Sequence, residues 1–267
     1  MMKVGVLTSC YGVGVRRAVR IASEQGAEGV QLCCTGTEVD PEELSWSGRQ
    51  ELKDYLESYG LLLVALRCEE GALTDPDTVE KRIERAKKVV HLAMDLECRV
   101  ITSHVGALGY GTTDSRWMTA LDALSDLGRY AINFDVRWAI ETGPDDPRVL
   151  KRFLQQLKTD GVAANYSPGN LIMNGFDHLA GVPTLRPWIV HTHANDAVPA
   201  EEDKPARVVS LGEGLVDFRT YLRTLFESGY NDFVTVERGS GDEPITETGR
   251  AIRFLLEKIA RVHRAAS

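Results

Sequence analysis

Short apolar runs rich in Val, Ile and Leu alternate along the chain with longer segments in which apolar residues recur at helical spacing. This alternation is typical of buried parallel strands that are each covered by the helix that follows. The runs are separated by roughly 25 to 40 residues, which is a normal length for a βα unit. Eight strands are predicted, at residues 4–7, 29–32, 61–66, 99–103, 138–141, 161–165, 188–193 and 233–237.

The intervening segments show helical patterning. In the segment 79–96, Ile83, Ala86 and Val90 share one face and charged residues take the other. Residues 74–76 supply capping oxygens and a proline suited to a first turn, and Thr113 and Asp114 do the same before a helix predicted at 116–131. Eight such units fit a closed barrel better than a doubly wound sheet, since no GxGxxG turn follows the first strand. We predict an α/β fold, a single (β/α)₈ TIM barrel over residues 1–267.

Composition supports this prediction and narrows the function. The chain of 267 residues is 43% hydrophobic, which suffices for the core of one such barrel. It has no apolar run of about 18 residues and no signal-peptide pattern, so we expect a soluble cytoplasmic protein that makes no membrane contact. Five cysteines without paired CxxC units favour reduced thiols over disulfides or a thiolate zinc site.

Charge argues against nucleic acid as a partner. The net charge is −8, and the 31 basic residues are scattered along the chain. Nucleic-acid binders usually cluster their basic residues, because binding neutralises a row of phosphates. We therefore expect no nucleic-acid partner, and a homo-oligomer is compatible with the sequence.

Candidate catalytic residues are polar side chains that close apolar strands, because the loops after the strands form the catalytic face of a barrel. The fifth strand ends in Glu141 and the eighth in Glu237. The seventh carries His191 and His193, which share a face because they are two residues apart. Two carboxylates and an imidazole from these strand ends would suit a divalent metal ion.

Each of these residues also has a structural interpretation. Glu141 would act as a helix cap, although Asp145 and Asp146 are better placed for that role. A hydrogen-bonded core histidine is a better description of His191 than of His193. Glu237 is followed by Arg238, with which it would form an ion pair.

Further candidates lie at other strand ends. His104 closes the fourth strand, where it would donate a hydrogen bond to a substrate or pack in a supporting position. Residues 164–170 offer only neutral polar groups, including Ser167 and Asn170, and read equally well as a tight turn. The long polar segment 195–210 after the seventh strand contains Arg207 and is interpreted as a lid or recognition element.

Five short motifs occur in an order that suggests a family: AEGVQL at 27–32, IETG at 140–143, HAND at 193–196, LGEG at 211–214 with a following Asp-Phe pair, and VE at 236–237. With these motifs the chain resembles the xylose isomerase-like barrels of the sugar phosphate isomerase/epimerase superfamily. The resemblance implies four metal ligands, which match Glu141, Ser167, His193 and Glu237. The usual sixth-strand ligand is an aspartate, so Ser167 is a departure that should weaken binding of Mn, Mg, Co or Zn.

The resemblance implies proton transfer next to the carbonyl of a sugar or polyol substrate, with Glu141 and Glu237 as acid and base. Return of the proton to the opposite face gives epimerisation, and return to the adjacent carbon gives isomerisation. The substrate-binding candidates are His104, Asn170 and Arg207.

Three other functions remain open from the sequence. A keto-inositol dehydratase begins with the same proton abstraction and then expels a hydroxyl group. A sugar-binding barrel would have lost its chemistry with the sixth-strand carboxylate. An endonuclease that cuts abasic DNA shares the barrel but needs additional histidines and a basic face, which this sequence does not show.

Overall fold

The structure is a computed structural model that describes residues 1–109, 111–238 and 242–266. Eight parallel strands close into a barrel in the order β1-β10-β7-β6-β5-β4-β3-β2, which confirms the predicted TIM-barrel fold. Every predicted strand is present, with its ends shifted by a few residues. The barrel strands are β1 Lys3–Leu7, β2 Gly29–Cys33, β3 Leu62–Cys68, β4 Val100–Ser103, β5 Arg137–Glu141, β6 Val162–Tyr166, β7 Ile189–Ala194 and β10 Phe233–Val236.

Helices surround the barrel. The described residues form α1 Val15–Glu24, α2 Trp46–Ser58, α3 Val79–Asp95, α4 Ser115–Ile132, α5 Pro147–Gln156, α6 Pro168–Met173, α7 Gly181–Leu185, α8 Phe218–Glu227 and α9 Pro244–Ala266. None of these helices has the length and apolar character needed to cross a membrane. Their buried aliphatic faces pack on the outside of the strands and form one continuous core with them.

Helix starts were predicted with mixed success. At α4 the Asp114 side chain accepts a hydrogen bond from the backbone N–H of Arg116, as predicted. The helix predicted at 79–96 is confirmed as α3 Val79–Asp95, but the cap predicted at residues 74–76 is wrong, because Thr78 occupies the N-cap position and makes no side-chain capping bond. There Asp75 accepts from the Thr78 hydroxyl at 2.6 Å, which fixes a turn before the helix. The capping oxygen therefore stabilises the approach to the helix and not its first turn.

Strand register sets the positions of the polar side chains at the barrel mouth. Glu141 at the end of β5 pairs with Asn165 on β6, and His193 on β7 pairs with Thr235 on β10. The backbone N–H of Glu237 then donates to the carbonyl of Ala194 at 3.0 Å. This pairing brings the ends of β5, β7 and β10 to one level on the same side of the barrel.

The polar segment after β7 forms an antiparallel hairpin of β8 Asp196–Val198 and β9 Arg207–Val209. The sequence indicated a lid or recognition element here but not its strands. Asp196 is fully buried at its base. Its carboxylate accepts four backbone hydrogen bonds of 2.9 to 3.0 Å, from the N–H groups of Ala197, Gly212, Gly214 and Val216. A Cβ at Gly214 would lie 2.2 Å from the Asp196 carboxylate, which explains the glycine in the LGEG motif.

Candidate metal and substrate site

The buried carboxylate of Glu141, the half-buried carboxylate of Glu237 and the buried imidazole of His193 meet at the barrel mouth. One ligand atom from each of Glu141, His193 and Glu237 lies within 4.8 Å of the others. His193 Nδ1 is 3.1 Å from Glu237 Oε2 and 3.5 Å from Glu141 Oε1. The structure thus brings together three of the four ligands that the sequence suggested, from positions more than 40 residues apart in the chain.

The orientation of the His193 ring depends on a residue that sequence analysis missed. The side-chain oxygen of Gln31 on β2 lies 2.9 Å from His193 Nε2, and the Gln31 amide donates to the Thr102 hydroxyl at 2.7 Å. Because an amide oxygen only accepts hydrogen bonds, Nε2 carries the hydrogen and Nδ1 faces the carboxylates. This is the arrangement of a metal-binding histidine held by a second group.

The carboxylates favour a positive charge at His193 Nδ1. Burial lowers the pKa of His193, but the negative charges of Glu237 and Glu141 outweigh it and raise the pKa to about 9. For Glu141, burial and the charge of Glu237 raise the pKa, yet the opposing effect of His193 leaves it below its usual range. Either a proton or a metal ion supplies the charge that this pocket requires.

Neutral amides support both carboxylates. The Asn165 side chain donates to Glu141 Oε2 at 3.1 Å, and Asn170 donates to Glu141 Oε1 at 2.7 Å. The Asn195 side chain donates to Glu237 Oε2 at 2.9 Å. The sequence candidate Asn170 therefore lies in the site, while Asn165 and Asn195 were not assigned a role from the sequence.

An arginine on β3 was also missed. Arg67 forms an ion pair with Glu237 Oε1 through Nη1 and donates to Glu69 Oε1 through Nε at 2.8 Å. Burial raises the pKa of Glu237, but His193 and Arg67 outweigh it and hold that pKa far below its usual range. The Glu237–Arg238 pair suggested from the sequence is wrong, because Arg238 pairs with Glu247 on α9.

Ser167, the fourth ligand that the resemblance implies, makes no hydrogen bond to any of the three donors. It is fully buried at the start of α6, and its hydroxyl accepts from the Asn195 amide at 2.7 Å. That amide stands between Ser167 and Glu237. The Asn195 oxygen accepts from the N–H of Gly169 at 2.8 Å, and a Cβ at residue 169 would lie 2.9 Å from this oxygen. Serine and glycine at these two positions therefore leave room for Asn195.

The remaining candidates differ in their positions. His104 Nε2 lies 3.5 Å from Glu141 Oε1, and its side chain is 45% exposed. Arg207 is exposed on β9 and does not line the large cavity that opens at the barrel mouth. His191 is a buried core histidine held by Asn165 and Thr235 at 2.9 Å each, and burial keeps its pKa well below the usual value.

A cavity of about 680 Å³ opens at the barrel mouth and is lined by Glu237 and by His104 and Asn170, which contact Glu141. This volume is in the range typical of small-molecule sites. A second cavity of about 510 Å³ lies between α8 and α9, lined by basic side chains but without any carboxylate–histidine cluster among the described residues. The mouth cavity is therefore the candidate site, and its lining includes Leu7, Ser9, Cys33, Arg67, Glu69, His104, Gly106, Gly143, Pro144, Asn170, Met173, Asn174, Asn195, Val208, Glu237 and Arg238.

The residues present fit a divalent cation. Two carboxylate oxygens and an oriented imidazole nitrogen converge in a buried pocket. Oxygen and imidazole ligands suit Mn, Mg, Co and Zn, although the neutral Ser167 hydroxyl makes this ligand set less anionic than one with four full donors.

The chain belongs to the xylose isomerase-like TIM barrel family, whose sequence model matches residues 19–258. The resemblance identified from the short motifs is thereby confirmed. The family match covers nearly the whole barrel, including the strands that carry the three donors.

Individual relatives are more distant. An inosose dehydratase of Geobacillus thermodenitrificans is 25% identical over 142 residues, so the match covers 47% of this chain and about half (48%) of that enzyme. A xylose isomerase domain protein of Planctomyces limnophilus superposes with a TM-score of 0.86 at 20% identity and covers 98% of both chains. An L-ribulose 3-epimerase superposes with a TM-score of 0.81 at 16% identity and covers 100% of this chain and 97% of its own. The two structural similarities concern the fold.

Proposed function

We propose that the protein is a metal-assisted isomerase or epimerase that acts on a ketose or keto-polyol by removing a proton next to the carbonyl. The observation that carries the proposal is the placement of two carboxylates, one buried and one half-buried, within 3.5 Å of one imidazole nitrogen. The family membership and the epimerase among the structural relatives support the same class of reaction.

Glu141, His193 and Glu237 would hold the divalent ion, with Gln31 fixing the imidazole. When bound, the ion supplies a Lewis acid that polarises the substrate carbonyl. Glu141 and Glu237 reach the pocket from β5 and β10, which are separated in the barrel by β6 and β7. One carboxylate removes the proton and the other returns it from the opposite face, which yields an epimer. Return to the adjacent carbon yields an isomer.

A second candidate function is dehydration of a keto-inositol, which the sequence match to an inosose dehydratase favours. The first step is the same proton abstraction. The difference is that the electron pair then expels a hydroxyl group on the next carbon. His104, which contacts both the cavity and Glu141, is a candidate donor of the proton that this hydroxyl needs.

The test is solvent exchange. The protein is supplied with Mn²⁺ and incubated in D₂O with a panel of ketoses and keto-inositols, and NMR follows deuterium at the carbon next to the carbonyl. Exchange with epimer or isomer formation supports the first function, whereas a spectrum dominated by an unsaturated or deoxygenated product supports the dehydratase. Lack of exchange with every substrate, together with tight sugar binding, would show a binding barrel without chemistry.

Glu141→Gln and Glu237→Gln then assign the carboxylates. Each variant should lose at least about a hundredfold in exchange rate, because general acid–base catalysis typically contributes that much. Glu227→Gln on the exposed face of α8 is the control with the same chemical change, and it should retain full activity. Near-normal exchange in both site variants would remove these residues from the mechanism.

A further inference from the structure

Arg67 presents an unused hydrogen-bond donor to the mouth cavity. Its Nε donates to Glu69 and its Nη1 to Glu237, whereas Nη2 has no hydrogen-bond partner in the described part of the chain. Nη2 is not a buried polar atom, so it keeps some contact with solvent. The side chain is 13% exposed and lines the cavity, so Nη2 is accessible to a molecule bound there.

The charge of the site indicates what such a molecule should carry. Glu141, Glu237 and Arg67 together leave one negative unit, and Glu69 stands at the rim with 47% of its side chain exposed, where water screens it. A divalent ion would change this balance to one positive unit. The aspartate that the resemblance implies at position 167 would have cancelled this excess, but serine does not. The loaded site therefore attracts an anion.

We propose, resting on the proposed function, that the substrate carries a carboxylate next to its reacting carbonyl and that Arg67 Nη2 binds this group. Arg67 contacts Glu237 directly, so an anion bound to Nη2 lies beside one of the two carboxylates that would act on the carbon next to the carbonyl. Nη2 offers one open donor group beside two carboxylates. This arrangement suits a singly charged carboxylate better than a phosphate dianion, because the one positive unit of the loaded site balances one negative charge and not two. The substrate class is a 2-keto sugar acid.

This substrate class restricts the chemistry. In a 2-keto acid C1 is the carboxylate carbon and has no hydrogen, so the base removes the proton from C3. The C3–H electron pair forms a C2–C3 double bond and the carbonyl oxygen takes the negative charge. Return of a proton to the opposite face of C3 restores the ketone and gives the C3 epimer. Alternatively the C4–O bond breaks, and the hydroxyl leaves with a proton as water. Conversion to an aldose through C1 is ruled out.

A matched pair of substrates tests the proposal. 2-Keto-D-gluconate differs from D-fructose only in having a carboxylate in place of the C1 hydroxymethyl group. Calorimetry with the Mn²⁺-loaded protein measures binding, and deuterium incorporation at C3 in D₂O measures proton abstraction. We expect 2-keto-D-gluconate to bind about tenfold to a hundredfold more tightly than D-fructose, the usual effect of one charge-assisted hydrogen bond. If D-fructose binds and exchanges as well as the acid does, the inference is overturned and the proposed function still stands. Exchange with neither these nor any other ketone would overturn both.

Arg67→Gln separates recognition from a general structural role. It should reduce the preference for the acid over D-fructose to about one, while Arg67→Lys, which retains the charge, should keep part of it. Arg99→Gln, at an exposed position just before β4 and at the other end of the barrel, is the control and should leave the preference unchanged. Equal losses for both substrates in Arg67→Gln would show that Arg67 only positions Glu237, and would contradict the proposal. The wild-type comparison decides the question even where a variant folds poorly.

Discussion

Replacing Ser167 by aspartate should tighten binding of a divalent ion. The substitution puts an anionic oxygen where the hydroxyl now accepts from Asn195, one amide group away from Glu237. At an effective dielectric constant of about 20, a unit charge about 4 Å from a divalent ion gains roughly 8 kcal/mol before other costs. Most of this gain is offset by the hydration that the ion loses and by the proton that the buried carboxylate must release when a metal binds, because residue 167 is fully shielded from water. A net gain of about 1.4 to 3 kcal/mol remains, which corresponds to about tenfold to a hundredfold in affinity.

The assay is calorimetric titration of chelator-treated protein with Mn²⁺. Ser167→Asn is the matched control, because asparagine has nearly the shape of aspartate without its charge. The aspartate variant should bind Mn²⁺ more tightly than wild type, and the asparagine variant should not. In metal-free buffer the aspartate variant should melt at a lower temperature, since its new charge has no cation to pair with. Equal Mn²⁺ affinities of the aspartate and asparagine variants would refute the placement of residue 167 beside the ion.

Three further predictions follow from the supporting contacts. Gln31→Leu should weaken Mn²⁺ binding about tenfold to a hundredfold, because the His193 ring loses the group that orients it. An unchanged Mn²⁺ affinity in calorimetry would mean that packing alone holds the ring. Mn²⁺ at about 100 times its dissociation constant should stabilise the wild type by about 2.7 kcal/mol in thermal denaturation, and His193→Ala should abolish most of this gain. Asp196→Asn should lower the melting temperature by roughly 5 to 10 °C, because two of the four backbone hydrogen bonds to this side chain lose their acceptor oxygen. Asp203→Asn, in the exposed hairpin turn, is the control and should have little effect.

The fold was predictable because its signal is periodic and repeated. Each strand is a buried apolar run, and eight such runs separated by helices leave few alternatives to a barrel. The convergence of Glu141, His193 and Glu237 was predictable for a related reason. In a closed parallel barrel the ends of all strands lie at one face, so polar residues that close apolar strands gather there even when they are distant in sequence.

The supporting residues were not predictable, because their roles depend on register and side-chain direction across the barrel. Gln31 and Arg67 lie within strands and look like isolated polar residues until β2 and β3 are placed opposite β7 and β10. The contact of Asn195 with Ser167 depends on the absence of a side chain at Gly169. The hairpin after β7 was missed because its strands are three residues long, too short to show a period of two.

The two halves of the barrel contribute differently to the cavity. The cation donors come from β5, β7 and β10, whereas the ends of β1 to β4 contribute only to the lining, with residues such as Leu7, Cys33, Arg67 and His104. Substitutions at early positions that do not hydrogen-bond a donor, such as Leu7 and Cys33, can therefore change which molecule is accepted without disturbing the ion. Within such a scaffold, new substrate preferences can arise by gradual change at these positions while the donors and Gln31 preserve the reaction.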